Sequence, residues 1–218
     1  MFSSIAGRYD IANHLLCCGL DYVWRRRVAK IVKQWNAKCI LDLATGSGAL
    51  AKVLQETCPG SRVVGMDFCP AMLLQAKRKG VCTLVCGDAT DMPFRSGTFD
   101  VITVAFGLRN MGNYQRAIQE MARVLSRGGG LFILEFSMPK NLCVRALYRI
   151  YLHHLLPTLA AWVTGHREAY KYLGASIERF PGDRLLYFLE KYGFLETQIQ
   201  RLCLGIVSLY AAVLRSMR

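Results

Sequence analysis

A stretch of eight residues, 41–48, combines an acidic side chain with two closely spaced glycines. Its first half, Leu-Asp-Leu-Ala, is typical of an apolar strand and contains Asp42, and the loop that follows contains Gly46 and Gly48. Glycines in such a loop let the backbone approach a ligand closely and turn tightly into a helix, which we predict at residues 49–55. The stretch therefore predicts a ligand site at the end of a strand.

Asp42 indicates which kind of ligand this loop favours. The spacing Gly46-x-Gly48-x-x-Ala51 also satisfies the loose dinucleotide fingerprint, so the glycines alone are a weak signal. A carboxylate inside the first strand, four residues before the first glycine, is not expected in a nicotinamide-binding strand. It is expected where the ligand carries a cationic amino group, and S-adenosylmethionine is such a ligand.

Two further acids follow the next predicted strands. Asp67 ends the second strand, 21 residues after Gly46, where an acid can bind both hydroxyls of a ribose. Asp88 and Ala89 follow the third strand, where they would meet the edge of an adenine. A single acid at such a position more often caps a turn or a helix, but three acids in this order favour a nucleoside-containing cofactor.

Strands and helices alternate along most of the chain. We predict strands at residues 39–43, 62–66, 83–86, 99–105 and 131–136, helices at 24–35, 49–55, 71–79 and 115–125, and a turn at the three glycines 128–130. Alternation at this spacing implies an α/β fold with a parallel sheet covered on both faces. Two more predicted strands, 194–201 and 205–214, would close a seven-stranded, mostly parallel sheet as a hairpin.

The chain of 218 residues suits one domain. Its predicted parts are an N-terminal helical cap at 1–38, a cofactor-binding core at 39–138, a helical insertion at 139–192 on the substrate side, and closing strands at 193–218. No apolar run reaches the roughly 18 uncharged residues of a spanning helix, and Arg8 and Asp10 interrupt any signal peptide.

Cysteine usage bears on the compartment and on metals. The nine cysteines are odd in number and scattered through apparent strands and helices, which favours reduced thiols in a cytoplasmic protein. The one metal-like spacing, Cys82-x-x-x-Cys86, has no histidine near it, so we predict no metal site.

The net charge of +13 is unevenly distributed. Residues 1–38 hold seven Lys and Arg against two acids, and residues 139–218 hold eleven against five, whereas the core is nearly balanced. Such flanks suit nucleic acid or an anionic membrane surface. Arg25, Arg26 and Arg27 stand in an amphipathic helical pattern whose apolar face could enter a membrane interface, although an ordinary solvated face fits equally well.

Several motifs, spread over nearly the whole chain, resemble those of the ubiquinone/menaquinone biosynthesis C-methyltransferases. Phe-Gly-Leu-Arg-Asn at 106–110 and Tyr-x-Tyr-Leu-x-x-Ser-Ile at 170–177 are specific, because generic methyltransferase motifs do not require them. The other matching pieces are Met-Phe at the start, Ile-Ala-x-x-Tyr-Asp at 5–10, Trp-Arg at 24–25, Leu-Asp-Leu-Ala at 41–44 and Leu-Glu-Phe-Ser at 134–137.

The resemblance implies a Rossmann-like class I fold and S-adenosylmethionine as cofactor. Ser47, Asp67, Asp88 and Ala89 match the cofactor-binding positions of the family, and Ala105 stands where some members place a binding serine. Three loop positions depart from the family: Thr45 replaces Gly, Ser47 replaces Thr, and Ala49 replaces Asp.

The implied reaction, methylation of a quinol ring carbon, suggests three catalytic residues. Loss of the phenol proton raises electron density at the neighbouring carbon, so the enzyme must favour a phenolate. Arg109 is always cationic and can stabilise that phenolate, and Asn110 can orient a water molecule or the ring oxygen. Tyr9 would close the site from the N-terminal side. The alternative for Arg109 and Asn110 is a loop pair that holds the backbone after the fourth strand.

The function we expect is methylation of demethylmenaquinol to menaquinol, with the ubiquinone precursor ring as second substrate. The alternatives are a methyltransferase acting on another small molecule or on RNA, and a non-catalytic protein that binds S-adenosylmethionine. No Asn/Asp-Pro-Pro-Tyr or Pro-Cys motif of nucleic-acid methyltransferases occurs, so we expect no nucleic-acid partner. We expect a prenylated quinol as substrate and the inner face of the cell membrane as a partner, with the chain peripherally associated. Whether the chain forms a homodimer is left open by the sequence.

Overall fold

A computed structural model of the chain describes residue 17 and residues 19–158 and 167–216. Its strands are β1 (Cys39–Leu43), β2 (Arg62–Asp67), β3 (Thr83–Cys86), β4 (Phe99–Ala105), β5 (Leu125–Phe136), β6 (Phe194–Leu202) and β7 (Val207–Leu214). Its α-helices are α1 (Leu20–Lys33), α2 (Ala49–Thr57), α3 (Pro70–Arg78), α4 (Tyr114–Val124), α5 (Leu142–Ile150), α6 (Arg167–Arg179) and α7 (Arg184–Lys191). Leu108–Asn110 and Cys203–Gly205 form 3-10 turns, and Tyr151–Leu155 forms a π-helical turn.

The seven strands form one sheet in the order β3-β2-β1-β4-β5-β7-β6. Strands β1 to β5 pair in parallel, and β7 lies antiparallel between β5 and β6. The predicted seven-stranded, mostly parallel sheet with a closing hairpin is confirmed, as is a helical insertion before the last two strands. The strand order reverses between β1 and β4, and ligands of such sheets bind beyond the carboxyl ends of the strands at that point.

Helices cover both faces of the sheet, as a parallel sheet with near-continuous apolar strands requires. On one face, α4 and α7 join one apolar cluster with the strands of the sheet through side chains such as Met121 and Leu189. On the other face, α1 and α2 pack through Trp24, Val28 and Leu54. Four of the five residues of β1 are fully buried, so any polar side chain on β1 must be satisfied inside the protein.

The predicted turn at glycines 128–130 is wrong, because β5 begins at Leu125 and includes them. Phe99 pairs with Leu125 and Val101 pairs with Gly130, so the extra residues form an irregularity within the strand. A Cβ at Gly129 would lie only 2.8 Å from the carbonyl oxygen of Ser126. Glycine is therefore needed at a position inside β5, whereas the sequence pattern predicted that this strand begins at residue 131.

The apolar face of α1 packs on the protein itself. Trp24, Val28 and Val32 are buried against the second face of the sheet. This corrects the expectation that this face enters a membrane interface. Among the described residues, no helix has the length and apolar character needed to cross a membrane.

Candidate functional site

A cavity of about 450 Å³ opens at the carboxyl ends of β1, β2 and β4. It lies at the point where the strand order reverses, as the fold predicts. The predicted site residues that line it are Asp42, Gly46, Ser47, Asp67, Asp88, Ala89, Ala105, Arg109 and Asn110. Gly48 does not line it, and Tyr9 lies outside the described residues. The strands β1, β2, β3 and β4 and the loops after them thus bring these separate motifs to one cavity.

The two glycines of the loop after β1 have different structural roles. Both adopt positive φ angles, 56° at Gly46 and 78° at Gly48. A Cβ at Gly48 would lie 2.6 Å from the Val81 side chain and 2.9 Å from that of Ala76, whereas one at Gly46 would meet nothing within 4 Å. Gly48 therefore permits close packing between α2 and α3, and Gly46 keeps the loop open toward the cavity.

Asp42 is a buried carboxylate on the cavity wall, with 1% of the residue exposed. The hydroxyl of Thr45 donates a hydrogen bond of 2.6 Å to its Oδ2, and that of Thr103 donates one of 2.8 Å to its Oδ1. Burial raises the pKa of Asp42 to about 6, although these two hydrogen bonds and the charge of Arg25 oppose the increase. At neutral pH the side chain is therefore a carboxylate whose charge favours a cationic ligand.

Thr45, which replaces the family's glycine, has a clear place in the structure. Besides bonding Asp42 through its hydroxyl, its backbone N–H donates to the carbonyl of Met66 on β2. Its side chain lies over Gly65, where a Cβ would be 3.1 Å from the Thr45 side-chain atoms. The departure therefore adds a donor to Asp42, and the space for it comes from Gly65. A threonine near a buried acid, opposite a strand glycine, was the signal that sequence reasoning missed.

Asp67 joins the loop after β1 to the loop after β2. Its Oδ2 accepts a hydrogen bond of 2.8 Å from the backbone N–H of Gly46, and its Oδ1 accepts one of 2.9 Å from that of Cys69. Burial raises its pKa, against the effect of these bonds. A carboxylate has about four acceptor sites, so each oxygen retains capacity for a ligand hydroxyl. Asp67 can thus hold the loop and bind a ribose at the same time.

Ser47 and Asp88 line the same cavity as Asp67. Lys79 donates a hydrogen bond of 3.0 Å to the hydroxyl of buried Ser47. Asp88 is exposed and accepts bonds of 2.8 Å from both the N–H and the hydroxyl of Thr90, which lower its pKa. Asp88 therefore forms the turn that the capping alternative describes, and it also lines the cavity.

Arg109 is held in a buried ion pair that the sequence analysis did not include. Its Nη1 donates to Oε1 of Glu135 at 2.5 Å and to the carbonyl of Phe106 at 2.6 Å. The side chains of Arg109 and Glu135 are only 4% and 0% exposed. Its guanidinium carbon also lies 5.4 Å from the centre of the Phe136 ring. The Leu-Glu-Phe-Ser motif, used only as a family signature, thus supplies both partners of the arginine.

Helix α1 contributes a second arginine to the cavity. Arg25 forms an ion pair with Asp21, its guanidinium lies 5.5 Å from the Phe106 ring, and both charged residues line the cavity. The expectation that Arg25 faces a membrane is therefore wrong, because its side chain is turned into the protein. Arg26 and Arg27 are exposed.

The backbone is strained where β1 and β4 end. Ala44 and Phe106 both adopt positive φ angles, 52° and 59°, which residues with a side chain rarely do. A Cβ at Gly107 would lie 2.6 Å from that of Ala44, so the two strand ends approach closely. Strain of this kind persists where the surroundings hold it in place, and here it lies at the cavity.

These groups fit S-adenosylmethionine. A cationic amino group can pair with Asp42, and ribose hydroxyls can bind Asp67. The open glycine loop lets the protein backbone approach the ligand closely. Apolar side chains such as Met66 and Met72 add cover beside them. The cofactor predicted from the sequence is therefore compatible with the donor and acceptor set of the cavity.

Comparison with known proteins finds one family that matches nearly the whole chain. The model of the ubiE/COQ5 methyltransferase family matches residues 1–214. A demethylmenaquinone methyltransferase of Thermus thermophilus is 40% identical over 215 residues, covering 96% of this chain and 98% of that protein. One of Deinococcus radiodurans is 39% identical over 216 residues, covering 96% of this chain and 89% of that protein.

Solved structures support the fold. A SAM-dependent methyltransferase of Thermotoga maritima, a possible histamine N-methyltransferase, has a TM-score of 0.69 at 16% identity and covers 97% of each chain. Human N-acetylserotonin methyltransferase in complex with SAM has a TM-score of 0.62 at 18% identity, covering 99% of this chain and 59% of that one. The class I methyltransferase fold predicted from the sequence is confirmed.

The raised pKa of Asp42 predicts a pH-dependent cost in stability. Its native pKa of about 6 lies above the unfolded value, so stability falls as the pH rises from about 4 to about 6. The variant Asp42→Asn lacks this cost. The difference in free energy of unfolding, variant minus parent, should increase by roughly 3 kcal/mol over this range. Above about pH 7 the difference should stay constant. Urea unfolding at several pH values measures the difference, and a difference constant from pH 4 to pH 8 would contradict the assignment.

Asp67→Ala should weaken binding of S-adenosylmethionine by about 1.5–3 kcal/mol, a typical cost for charge-assisted hydrogen bonds. Isothermal titration calorimetry measures the affinity. Asp91→Ala is the matched control, because it removes the same charge from an exposed residue that does not line the cavity. Equal affinity of Asp67→Ala and the control would remove Asp67 from the cofactor site.

Proposed function

This chain belongs to the ubiE/COQ5 methyltransferase family, and from that premise we propose that it methylates a ring carbon of a prenylated quinol with S-adenosylmethionine as methyl donor. Demethylmenaquinol is the first acceptor and menaquinol the product, because relatives at 40% and 39% identity carry the name demethylmenaquinone methyltransferase. The ubiquinone precursor ring is the second acceptor.

The separation of charge along one cavity carries this proposal. Two buried carboxylates, Asp42 and Asp67, line the wall that β1 and β2 form, and the cation of Arg109 lines the wall after β4. The carboxylates suit the amino group and the ribose of the cofactor. The arginine suits an acceptor that becomes anionic, as a phenol does when it loses its proton.

The reaction requires an electron-rich ring. Bound S-adenosylmethionine supplies an electrophilic methyl group, and an oxidised quinone, itself an electrophile, would not react with it. The chain must therefore favour the phenolate of the reduced ring and hold the neighbouring carbon in line with the methyl group. Loss of the proton from the methylated carbon then restores the aromatic ring.

Arg109 is the residue that we propose stabilises the phenolate. Glu135 and the carbonyl of Phe106 hold its guanidinium, so it loses little conformational entropy when the acceptor binds. Glu135 partly balances its charge, and the guanidinium remains a fixed cation on the cavity wall, where it favours an anionic acceptor oxygen. Asn110, next in the same 3-10 turn, is proposed to orient that oxygen or a water molecule, and Tyr9 is proposed to close the site.

The direct test is methyl transfer by the purified chain to reduced demethylmenaquinol with a short prenyl tail. We expect one added methyl group on the ring, detected by mass spectrometry, and none on the oxidised quinone. An RNA substrate serves as the second arm. Cofactor binding without methylation of any quinol would overturn the proposed function, and methylation of the RNA alone would support the alternative.

Arg109→Lys should lower the turnover rate while the affinity for S-adenosylmethionine stays the same. Lysine keeps the charge but loses the planar group that contacts Glu135 and the acceptor together. Arg201→Lys is the matched control, because Arg201 is an exposed arginine paired with Asp183 and neither residue lines the cavity. Steady-state kinetics, calorimetry and thermal unfolding are measured together. A parallel loss of rate, cofactor affinity and stability would mean that Arg109 is structural.

The acceptor also indicates where the chain works. A polyprenyl quinol stays in the bilayer, so the enzyme must reach its head group at the membrane surface. We therefore propose that the chain associates peripherally with the inner face of the cell membrane, attracted by its net charge of +13.

A further inference from the structure

Helix α5 presents a row of large apolar side chains to solvent. The helix continues through the π-helical turn Tyr151–Leu155 into helical residues 156–158. Four side chains form what we name the α5 face: Leu142, Leu147, Ile150 and Leu155, which are 74%, 69%, 59% and 51% exposed. Contiguous apolar surface of this kind on a water-soluble domain marks an interaction site.

The spacing of these residues places them on one side of the helix. Leu147 and Ile150 are three residues apart, and exposed Ala146 lies between Leu142 and Ile150 at intervals of four. The wider π turn takes up an additional residue, so Leu155 returns to the same side five residues after Ile150. The α5 face is therefore a continuous apolar stripe.

The opposite side of the same helix covers the cavity wall. Tyr148 and Leu152 are buried there and pack in one cluster with Phe136 and Leu173. Phe136 and Leu173 also line the cavity. Helix α5 thus lies between the wall of the cavity that contains Arg109 and the exposed apolar surface.

The segment that contains the α5 face carries cations and no acidic residue. The sequence holds no Asp or Glu from residue 136 to residue 167. Within α5, the exposed Arg149 lies beside the apolar stripe, and Lys140 precedes the helix. Their acidic partners, Glu178 and Asp183, come from α6 and from the residue before α7. An apolar stripe with cations at its edge is the pattern of a helix that lies in the interface of an anionic bilayer.

We propose that the α5 face docks the chain on an anionic lipid bilayer, with its four apolar side chains in the interface and the cations among the head groups. The proposal rests on the proposed function, because a prenylated acceptor reaches the cavity from the membrane. It assigns the contact to α5, whereas the sequence pattern favoured α1.

The double variant Leu147→Gln/Ile150→Gln tests the contact. Both side chains are exposed, so their replacement leaves the core intact, which thermal unfolding checks. We expect its partition onto vesicles of phosphatidylcholine and phosphatidylglycerol to fall about tenfold or more, because two apolar side chains no longer enter the interface. Leu74→Gln is the matched control, since Leu74 is 51% exposed on α3, and it should bind vesicles like the parent.

Turnover separates docking from chemistry. The double variant should lose turnover of a long-tailed quinol in vesicles in proportion to its lost binding, and keep turnover of a short-tailed, water-soluble analogue. If the parent methylates neither quinol but still loses vesicle binding through the double substitution, the proposed function fails and the docking surface stands.

Two results would overturn the docking surface. One is unchanged vesicle binding by the double variant together with reduced binding by Arg26→Gln/Arg27→Gln on α1, which would place the contact there. The other is a parent that sediments as a dimer, a double variant that sediments as a monomer, and equal vesicle binding by both. The α5 face would then be covered by a second copy of the chain.

Discussion

The buried negative charge of Asp42 in the central strand is the constraint on which the site depends. A carboxylate removed from water is costly unless its surroundings compensate, and these surroundings come from several elements. Thr45 and Thr103 donate to its two oxygens, Gly65 on β2 leaves room for Thr45, and the charge of Arg25 on α1 favours the ionised form. With a pKa of about 6, the cost of burying this charge is only partly offset by its neighbours. A cationic ligand beside Asp42 would therefore be attracted to the carboxylate.

A second buried charge, on Arg109, is handled in the opposite way. Glu135 lies opposite it at 2.5 Å, which balances part of its charge and fixes the guanidinium in place. The strained backbone at Phe106 belongs to the same arrangement, because its carbonyl accepts a bond from the arginine. The cavity therefore combines an under-compensated anion with a held cation, which suits a cationic donor beside an acceptor that becomes anionic.

The two amphipathic helices of the flanks have different roles, although their sequence patterns are alike. The apolar side of α1 is buried in the core, and Arg25 of the same helix lines the cavity. In α5 the buried side is short and aromatic, and the side of Leu147 and Ile150 has no cover among the described residues. Amphipathicity states only that a helix has an apolar side. Which surface receives that side depends on the neighbours that the fold supplies.

Local patterns determined the order of the strands and helices, the α/β class and the acids Asp42 and Asp67, because strand periodicity, glycine loops and strand ends are readable from adjacent residues. Tertiary structure alone decided the pairing of Arg109 with Glu135, 26 residues apart, and the turning of Arg25 into the cavity. It also placed the glycines 128–130 inside β5. Each of these depends on which distant segments lie side by side, and residues adjacent in sequence carry no record of that.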